Sequence, residues 1–440
     1  MMVPLVRSLG LLTLLLSVFT TADARDAKLR MNEARGVNVG WPYGSSKIRG
    51  VNIGGWLVLE SWITPSLFTA TNNDKIIDEW TFGQLQSKSV AQAALQSHWD
   101  SWITEDDFRQ IAAAGLNHVR IPIGYWAYDI SNGEPYIQGQ APYLDKAIGW
   151  AKTYGLKVLI DLHGAPGSQN GYDNSGKLGS ALWATNSSNV LRTKNVLGQL
   201  SKTYSDPSYY GTVTALSLLN EPATYLNDQL LSTTHQFYYD GYGATRWPWL
   251  PSSASKSGLL IVIHDGFQPL SYWSNYMSEP NFESVALDTH FYSVFSQAEN
   301  QMTEAQHIAA VCDKQSSYAA APLWLVVGEW SLARTDCAKW LNGRGIGARY
   351  DGTYPGSTRV GSCDGFSGAG STFSSSYKTF LRRYWDVQTQ VFENNGQGWI
   401  FWAWKTETGS AEWSYQAGIA GGWIPSNPTS HTNSISSLCG

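Results

Sequence analysis

The sequence predicts an α/β fold: a single (β/α)8 TIM barrel with extended loops on the face where its strands end. Three observations carry that prediction. Eight short apolar runs are spaced along the chain, helix-like segments lie between several of them, and most runs end in a polar or charged residue. Runs of this length, rich in β-branched and aromatic residues, suit strands buried on both faces. Strands alternating with helices imply a parallel sheet, and eight of them suggest closure into a barrel. One barrel also accounts for all 440 residues, because loops carry such folds well beyond about 250.

Taken in order, residues 1–24 read as a secretory signal peptide. Arg7 precedes an apolar stretch, and Ala22-Asp23-Ala24 offers a small-residue cleavage site. The stretch falls short of the roughly 20 residues needed to cross a bilayer. Residues 25–40 are expected to be an N-terminal arm or short propeptide, and 41–440 the catalytic barrel. The strand runs are IRGVNIGGW (48–56), LNHVRIPIGYW (116–126), LKVLIDLHG (156–164), VTALSLLNEP (213–222), LLIVIHDGF (259–267), SVALDTHFY (284–292), LWLVVGEWS (323–331) and GWIFWAWKTE (398–407). Between the first two, HWDSWITEDDFRQIAAAG reads as a helix with acidic residues early and Gly115 closing it. YLDKAIGWAKTYG closes likewise at Gly155. Residues 334–376 form a Gly/Ser-rich, strand-poor insertion, read as a loop rather than a domain boundary. A doubly wound open sheet is the alternative, but it wants an early Gly-rich phosphate turn. The GxGxxA match at 343–348 follows no predicted strand and opens no apolar helix.

Composition narrows the function. A net charge of −5 favours neither nucleic acid nor an anionic membrane as partner. The 21 Trp exceed what core packing usually asks of a side chain whose N–H needs a partner. Many of these rings are therefore expected to line a binding surface, and aromatic faces suit the C–H faces of sugars. Cys312, Cys337, Cys363 and Cys439 show no CxxC spacing, which argues against zinc. An even count in a secreted chain suggests two disulfides, with three pairings open. Asn186-Ser187-Ser188 is a glycosylation sequon.

The polar residues that end the runs are the candidate site. They are Arg120, His163, Asn220 with Glu221, Asp265, His290 with Tyr292, Glu329 and Trp404. In a barrel all strand C-termini open onto one face, so residues scattered along the sequence converge there. Glu221 and Glu329 are the informative pair. Two carboxyls across a cleft are what acid–base hydrolysis of an acetal requires: one protonates the leaving oxygen while the other attacks carbon or activates water. A lone strand-end Glu could equally pair with Arg120 or cap a helix; two Glu with His, Asn and Tyr at neighbouring ends fit that reading poorly. No GxSxG elbow supports a serine hydrolase, and the constellation calls for no metal, nucleotide or other cofactor.

GVNIGGWLVLESW, HVRIPIGYW, DLHGAPGSQNGYDNSG, LLNEP, VVGEWS and FWAWKTE together closely resemble the fungal exo-β-1,3-glucanases of glycoside hydrolase family 5, from about Gly36 to the C-terminus. The resemblance implies a retaining double displacement with Glu221 as acid/base and Glu329 as nucleophile. It gives Arg120 and Tyr292 the task of holding the nucleophile and Asn220 that of gripping the sugar 2-hydroxyl. His163 and His290 are implied in the pocket, Trp404 as the platform under the reacting ring, and Glu60 as a ligand for sugar hydroxyls. Tyr172, usually Phe in relatives, and Phe295 match an aromatic pair that clamps the next glucose. The implied disulfides are Cys312–Cys439 and Cys337–Cys363. The implied partner is β-1,3-glucan, cut by a monomeric, secreted enzyme that releases glucose and transfers it to other acceptors. Rival readings are an endo-acting or differently linked β-glucanase on the same barrel, and a carbohydrate-binding barrel without catalysis. At retaining distance, anionic Glu329 is expected to raise the pKa of Glu221, giving an acidic optimum between about pH 4 and 6.

Overall fold

The computed structural model describes residues 39–407 and 409–440. The predicted signal peptide (1–24) and nearly all of the predicted arm (25–40) lie outside the described residues.

Eight strands pair in sequence order into a closed barrel: β1 (Ile48–Asn52), β2 (His118–Gly124), β3 (Lys157–Gly164), β4 (Val213–Ser217), β5 (Leu260–His264), β6 (Val285–Phe291), β7 (Trp324–Trp330) and β8 (Gly398–Phe401). Every pairing is parallel, including the closing one between β1 and β8. Each strand falls inside the run that predicted it. Helices Ala141–Thr153, Ser187–Tyr204, Asp228–Arg246, Glu304–Cys312 and Ser375–Asn395 are among the elements connecting successive strands.

One connection differs from expectation. The segment predicted as one helix before β2 is two, Lys88–Ser101 and Glu105–Ala113. The break falls where Asp107 accepts from the Thr104 N–H at 2.8 Å, a reciprocal cap that starts a new helix rather than continuing the old one. Between β5 and β6 the described residues form only a 3-10 turn, Leu270–Trp273, with Trp273 buried beneath it.

The barrel interior is layered. Ile48, Leu159, Leu260, Val262, Val326 and Ile400 form its apolar floor. Above them lie Asn52, Arg120, Asp161 and Asp288, all buried. An Arg can sit there because acceptors surround it on several sides. Much of the indole serves packing between barrel and helices: Trp330 contacts Trp385 and Trp399 at ring-centroid distances of 5.4 Å each. The expectation that many Trp line a binding surface is thus too generous; Trp62, Trp402 and Trp413 do so.

Both disulfides form as the resemblance implied, Cys312–Cys439 and Cys337–Cys363. The first ties the C-terminus to the helix Glu304–Cys312, between β6 and β7. The second closes part of the 334–376 insertion, in which no strand forms beyond an isolated Asp364–Ser367 bridge. Asn186 is exposed and caps the helix Ser187–Tyr204, accepting from the Ser188 N–H at 2.9 Å.

Candidate active site

Strand β4 ends at Ser217, and Leu218 and Leu219 stay buried while the chain turns toward the barrel mouth. Asn220 and Glu221 follow. Glu221 has φ of +44°, a left-handed conformation that costs a non-glycine residue about 1 kcal/mol or more. Glu329 lies within β7, and the register sets it beside His290 of β6. The preceding Gly328 is required by close approach, since a Cβ there would stand 2.2 Å from Asp288 Oδ1. That carboxylate accepts from the Gly328 N–H at 2.8 Å, locking β6 and β7 together under the site.

The two glutamates meet at His290. Its Nδ1 lies 2.6 Å from Glu221 Oε1 and 3.4 Å from Glu329 Oε2. The nearest oxygens of the two carboxyls therefore stand no more than about 6 Å apart, short of the roughly 6.5–9.5 Å of inverting glycosidases. Arg120 Nη1 donates to Glu329 Oε1 at 2.8 Å and to Asn52 Oδ1 at 2.9 Å, while Nη2 donates to Asn220 Oδ1 at 2.6 Å. Tyr292 Oη donates to Glu329 Oε2 at 3.0 Å. Glu329 is thus held on both oxygens by different donors.

The electrostatics depart from the sequence expectation. Burial pushes Glu221 up, but the charge and hydrogen bond of His290 outweigh it and hold the carboxyl below its ordinary value. Glu329 lies above its ordinary value, because burial and the Glu221 charge outweigh His290 and Arg120. Burial pulls His290 down, yet the carboxylates of Glu329, Asp288 and Glu221 raise it well above the usual imidazole range. The three groups are shifted through one another, and the neighbouring carboxylates favour the protonated form of the His290 imidazole. Further out, burial raises Glu60, helped by the Asp173 charge, and burial with the Asp78 charge lifts Asp173 to about 6.

A cavity of about 490 Å3 opens above the carboxyls. Glu60, Tyr172, Glu221, His290, Tyr292, Phe295 and Glu329 all line it, so the fold brings these predicted residues to one place. Arg120 and Asn220 lie buried, Arg120 donating to both Glu329 and Asn220. His163 is also wholly buried, with Nδ1 2.6 Å from Asp161 and its ring stacked on Trp402. It supports the wall rather than forming it. Trp404 is a correction. Its ring packs with Tyr415 away from the cavity, and Nε1 donates to Asp107 at 2.9 Å. Trp402, the first residue beyond β8, lines the pocket instead.

The sequence model of the cellulase family, glycosyl hydrolase family 5, matches residues 84–343. The chain belongs to that family. A glucan 1,3-beta-glucosidase of Blumeria graminis is 45% identical over 388 residues, covering 87% of this chain and 88% of the relative. A probable glucan 1,3-beta-glucosidase A of Aspergillus niger is 44% identical over 399 residues, with 90% and 91% covered. Among solved structures, a rutinosidase from Aspergillus niger superposes with a TM-score of 0.67 at 18% identity, over 86% of this chain and 98% of that one. That likeness is one of fold. The protein is accordingly a family 5 glycoside hydrolase.

In this family 5 site several lining residues escaped the sequence reading. Asp173 and Asn174 stand in the quoted YDNSG stretch, where nothing in their spacing marked them. Asn342 and Arg349 come from the 334–376 insertion, which has no periodicity to place it; only its cysteines hinted that it was anchored. Among the described residues one group, Glu221, His264 and His290, brings potential metal-ligand atoms within 4.8 Å of one another. His264 Nδ1 already accepts from the Gly266 N–H at 2.9 Å, and His290 Nδ1 is engaged with Glu221, so both imidazoles serve as hydrogen-bonding groups.

Proposed function

We propose that this family 5 hydrolase is a secreted, monomeric, retaining exo-β-1,3-glucanase that releases glucose from non-reducing ends and transfers it to sugar acceptors. The observation that carries the chemistry is the Glu221–Glu329 pair, bridged by His290 and standing closer than the carboxyls of inverting enzymes. Glu329, aimed by Arg120 and Tyr292, attacks the anomeric carbon. The leaving oxygen takes its proton from Glu221, supplied along the His290–Glu221 hydrogen bond. Forming the glycosyl ester removes the Glu329 charge, the largest of the carboxylate effects that hold the proton on His290. Glu221, now anionic, is then the base for water or for an acceptor hydroxyl. Asn220 grips the 2-hydroxyl, Glu60 the hydroxyls at the far end of the ring, and Trp402 forms the platform beneath it.

Exo action is supported by the walls. The loop carrying Glu60 and Trp62, the β3 loop with Tyr172, and the insertion with Asn342 and Arg349 all border the same cavity. The names of the 42–45% identical relatives support β-1,3-glucan as substrate. Residues 1–24 act as the leader, 25–40 as an arm or short propeptide and 41–440 as the catalytic unit, with Asn186 carrying a glycan. No helix among the described residues is long and apolar enough to cross a membrane.

Laminarin digestion followed over time tests this reading. Glucose from the first minutes is expected, and an early ladder of oligomers would replace it with endo cleavage. Glu329→Ala is expected to abolish turnover while retaining laminarin binding; full turnover in that variant would remove the nucleophile assignment.

A further inference from the structure

Beyond the cavity, the loop that leaves Glu221 carries Tyr225 within a short 3-10 turn, Thr224–Leu226. Its hydroxyl is hydrogen-bonded to that of Tyr172, across from the β3 loop. The Tyr225 ring also meets Phe267 edge-on, with centroids 5.6 Å apart and planes at 79°. Phe267 and Tyr172 both line the cavity. Tyr225 is 55% exposed and Phe267 41%, so a contiguous aromatic ledge continues outward from the mouth.

Two features mark this ledge as built rather than incidental. Phe267 has φ of +61°, a costly backbone state for an aromatic residue and one that clusters at binding sites. It is held there by the Asp265 carboxylate, which accepts the Phe267 N–H at 2.8 Å and the Thr289 hydroxyl at 2.6 Å. The second feature is the hydroxyl pair. A phenol both donates and accepts, so the pair spends one hydrogen internally and keeps one donor and several lone pairs for a ligand. An apolar face edged by such hydroxyls complements a pyranose, with its C–H faces and hydroxyl rim.

Resting on the glucanase reading, we propose that Tyr225 is a specificity-determining residue. Through the Tyr172 hydroxyl and the Phe267 edge it forms an outer sugar site, which holds the far end of a β-glucan chain in hydrolysis and a glucosyl acceptor in transfer. Tyr225 acts on the rate by positioning that sugar; it does not touch the reacting atoms. Removing one hydroxyl of a cooperating pair forfeits the shared hydrogen bond, so either single deletion should cost the same and the second should cost little more.

The test compares wild type, Tyr225→Phe, Tyr172→Phe and the double variant on laminaritetraose and on p-nitrophenyl β-glucoside, which has no sugar to fill the outer site. The readout is the ratio of kcat/KM for the two substrates. In Tyr225→Phe it is expected to fall about two- to tenfold, mainly through KM for the tetraose. Tyr172→Phe should fall similarly, and the double variant no further than the lower single. The ratio of transfer to hydrolysis at fixed acceptor should fall with it. An active enzyme whose ratio stays at the wild-type value in Tyr225→Phe, or whose double variant loses the product of the two singles, overturns the proposal alone. A wild type that releases glucose from neither substrate overturns the glucanase reading and this proposal with it.

Discussion

Replacing Tyr292 by Phe removes a single oxygen from the wall of the pocket, and its consequences can be worked through. The phenol donates to Glu329 Oε2 at 3.0 Å, while Arg120 serves Oε1 at 2.8 Å. The ring itself is packed between Phe295 and Trp413, with centroids at 5.6 and 5.5 Å, and phenylalanine keeps those contacts. What is lost is a buried hydrogen bond to a charged group, worth about 1.5–3 kcal/mol. If Glu329 is the attacking carboxylate, that amounts to a fall in kcat/KM of roughly 10- to 150-fold. The sign of the pH effect also follows. A donor to a carboxylate favours its ionised form, so losing the donor raises the Glu329 pKa, already above the ordinary carboxyl value. The acid limb of the kcat/KM profile should therefore move to higher pH. Glucose release from laminaritriose between pH 3 and 8 measures both, with Tm as the check on folding. A folded Tyr292→Phe enzyme within twofold of wild type, or one whose acid limb moves to lower pH, would refute the place given to Glu329.

Trp402→Ala should lower kcat/KM at least roughly tenfold by removing the platform, whereas Trp404→Phe should show its cost in Tm, through the lost hydrogen bond to Asp107. Glu412 is buried, and burial pushes its carboxyl up to about 8. Between the unfolded value near 4.5 and that folded value the native state binds the extra proton, so stability falls as pH rises across this window. Glu412→Gln should flatten the decline in Tm between pH 5 and 8, and a decline as steep as wild type would show that another group causes it. Replacing both Cys337 and Cys363 by Ser opens a link spanning 26 residues, at a cost of about 3–4 kcal/mol. It should also depress kcat/KM, because Asn342 and Arg349 lie within that span. Opening Cys312–Cys439 should lower Tm with little effect on turnover.

The barrel was legible because both-face burial leaves continuous apolar runs, and every strand lies within one. The carboxylates were legible because strand ends in a barrel share a face: LLNEP and VVGEWS point to Glu221 and Glu329 before any coordinate is known. Trp404 shows where such reasoning stops. Trp402 and Trp404 have the same parity, so alternation treats them alike. But β8 ends at Phe401, after which parity no longer predicts direction, and Trp404 turns toward Asp107. The helix before β2 was read through because its break depends on the Thr104–Asp107 cap, a local signal weaker than the apolar pattern spanning it. The proton order within the site was hidden for another reason. It depends on one imidazole touching both carboxyls: the β6–β7 register sets it beside Glu329, the turn after β4 brings Glu221 to it, and no sequence spacing displays either.

The central claim is that Glu221 and Glu329 lie close enough for one to attack while the other exchanges a proton with the leaving group. Proton NMR of the first glucose released from laminarin, recorded before mutarotation, tests it most directly. The account predicts the β-anomer first. The α-anomer appearing first would contradict it, because water would then have attacked the sugar in a single inverting step.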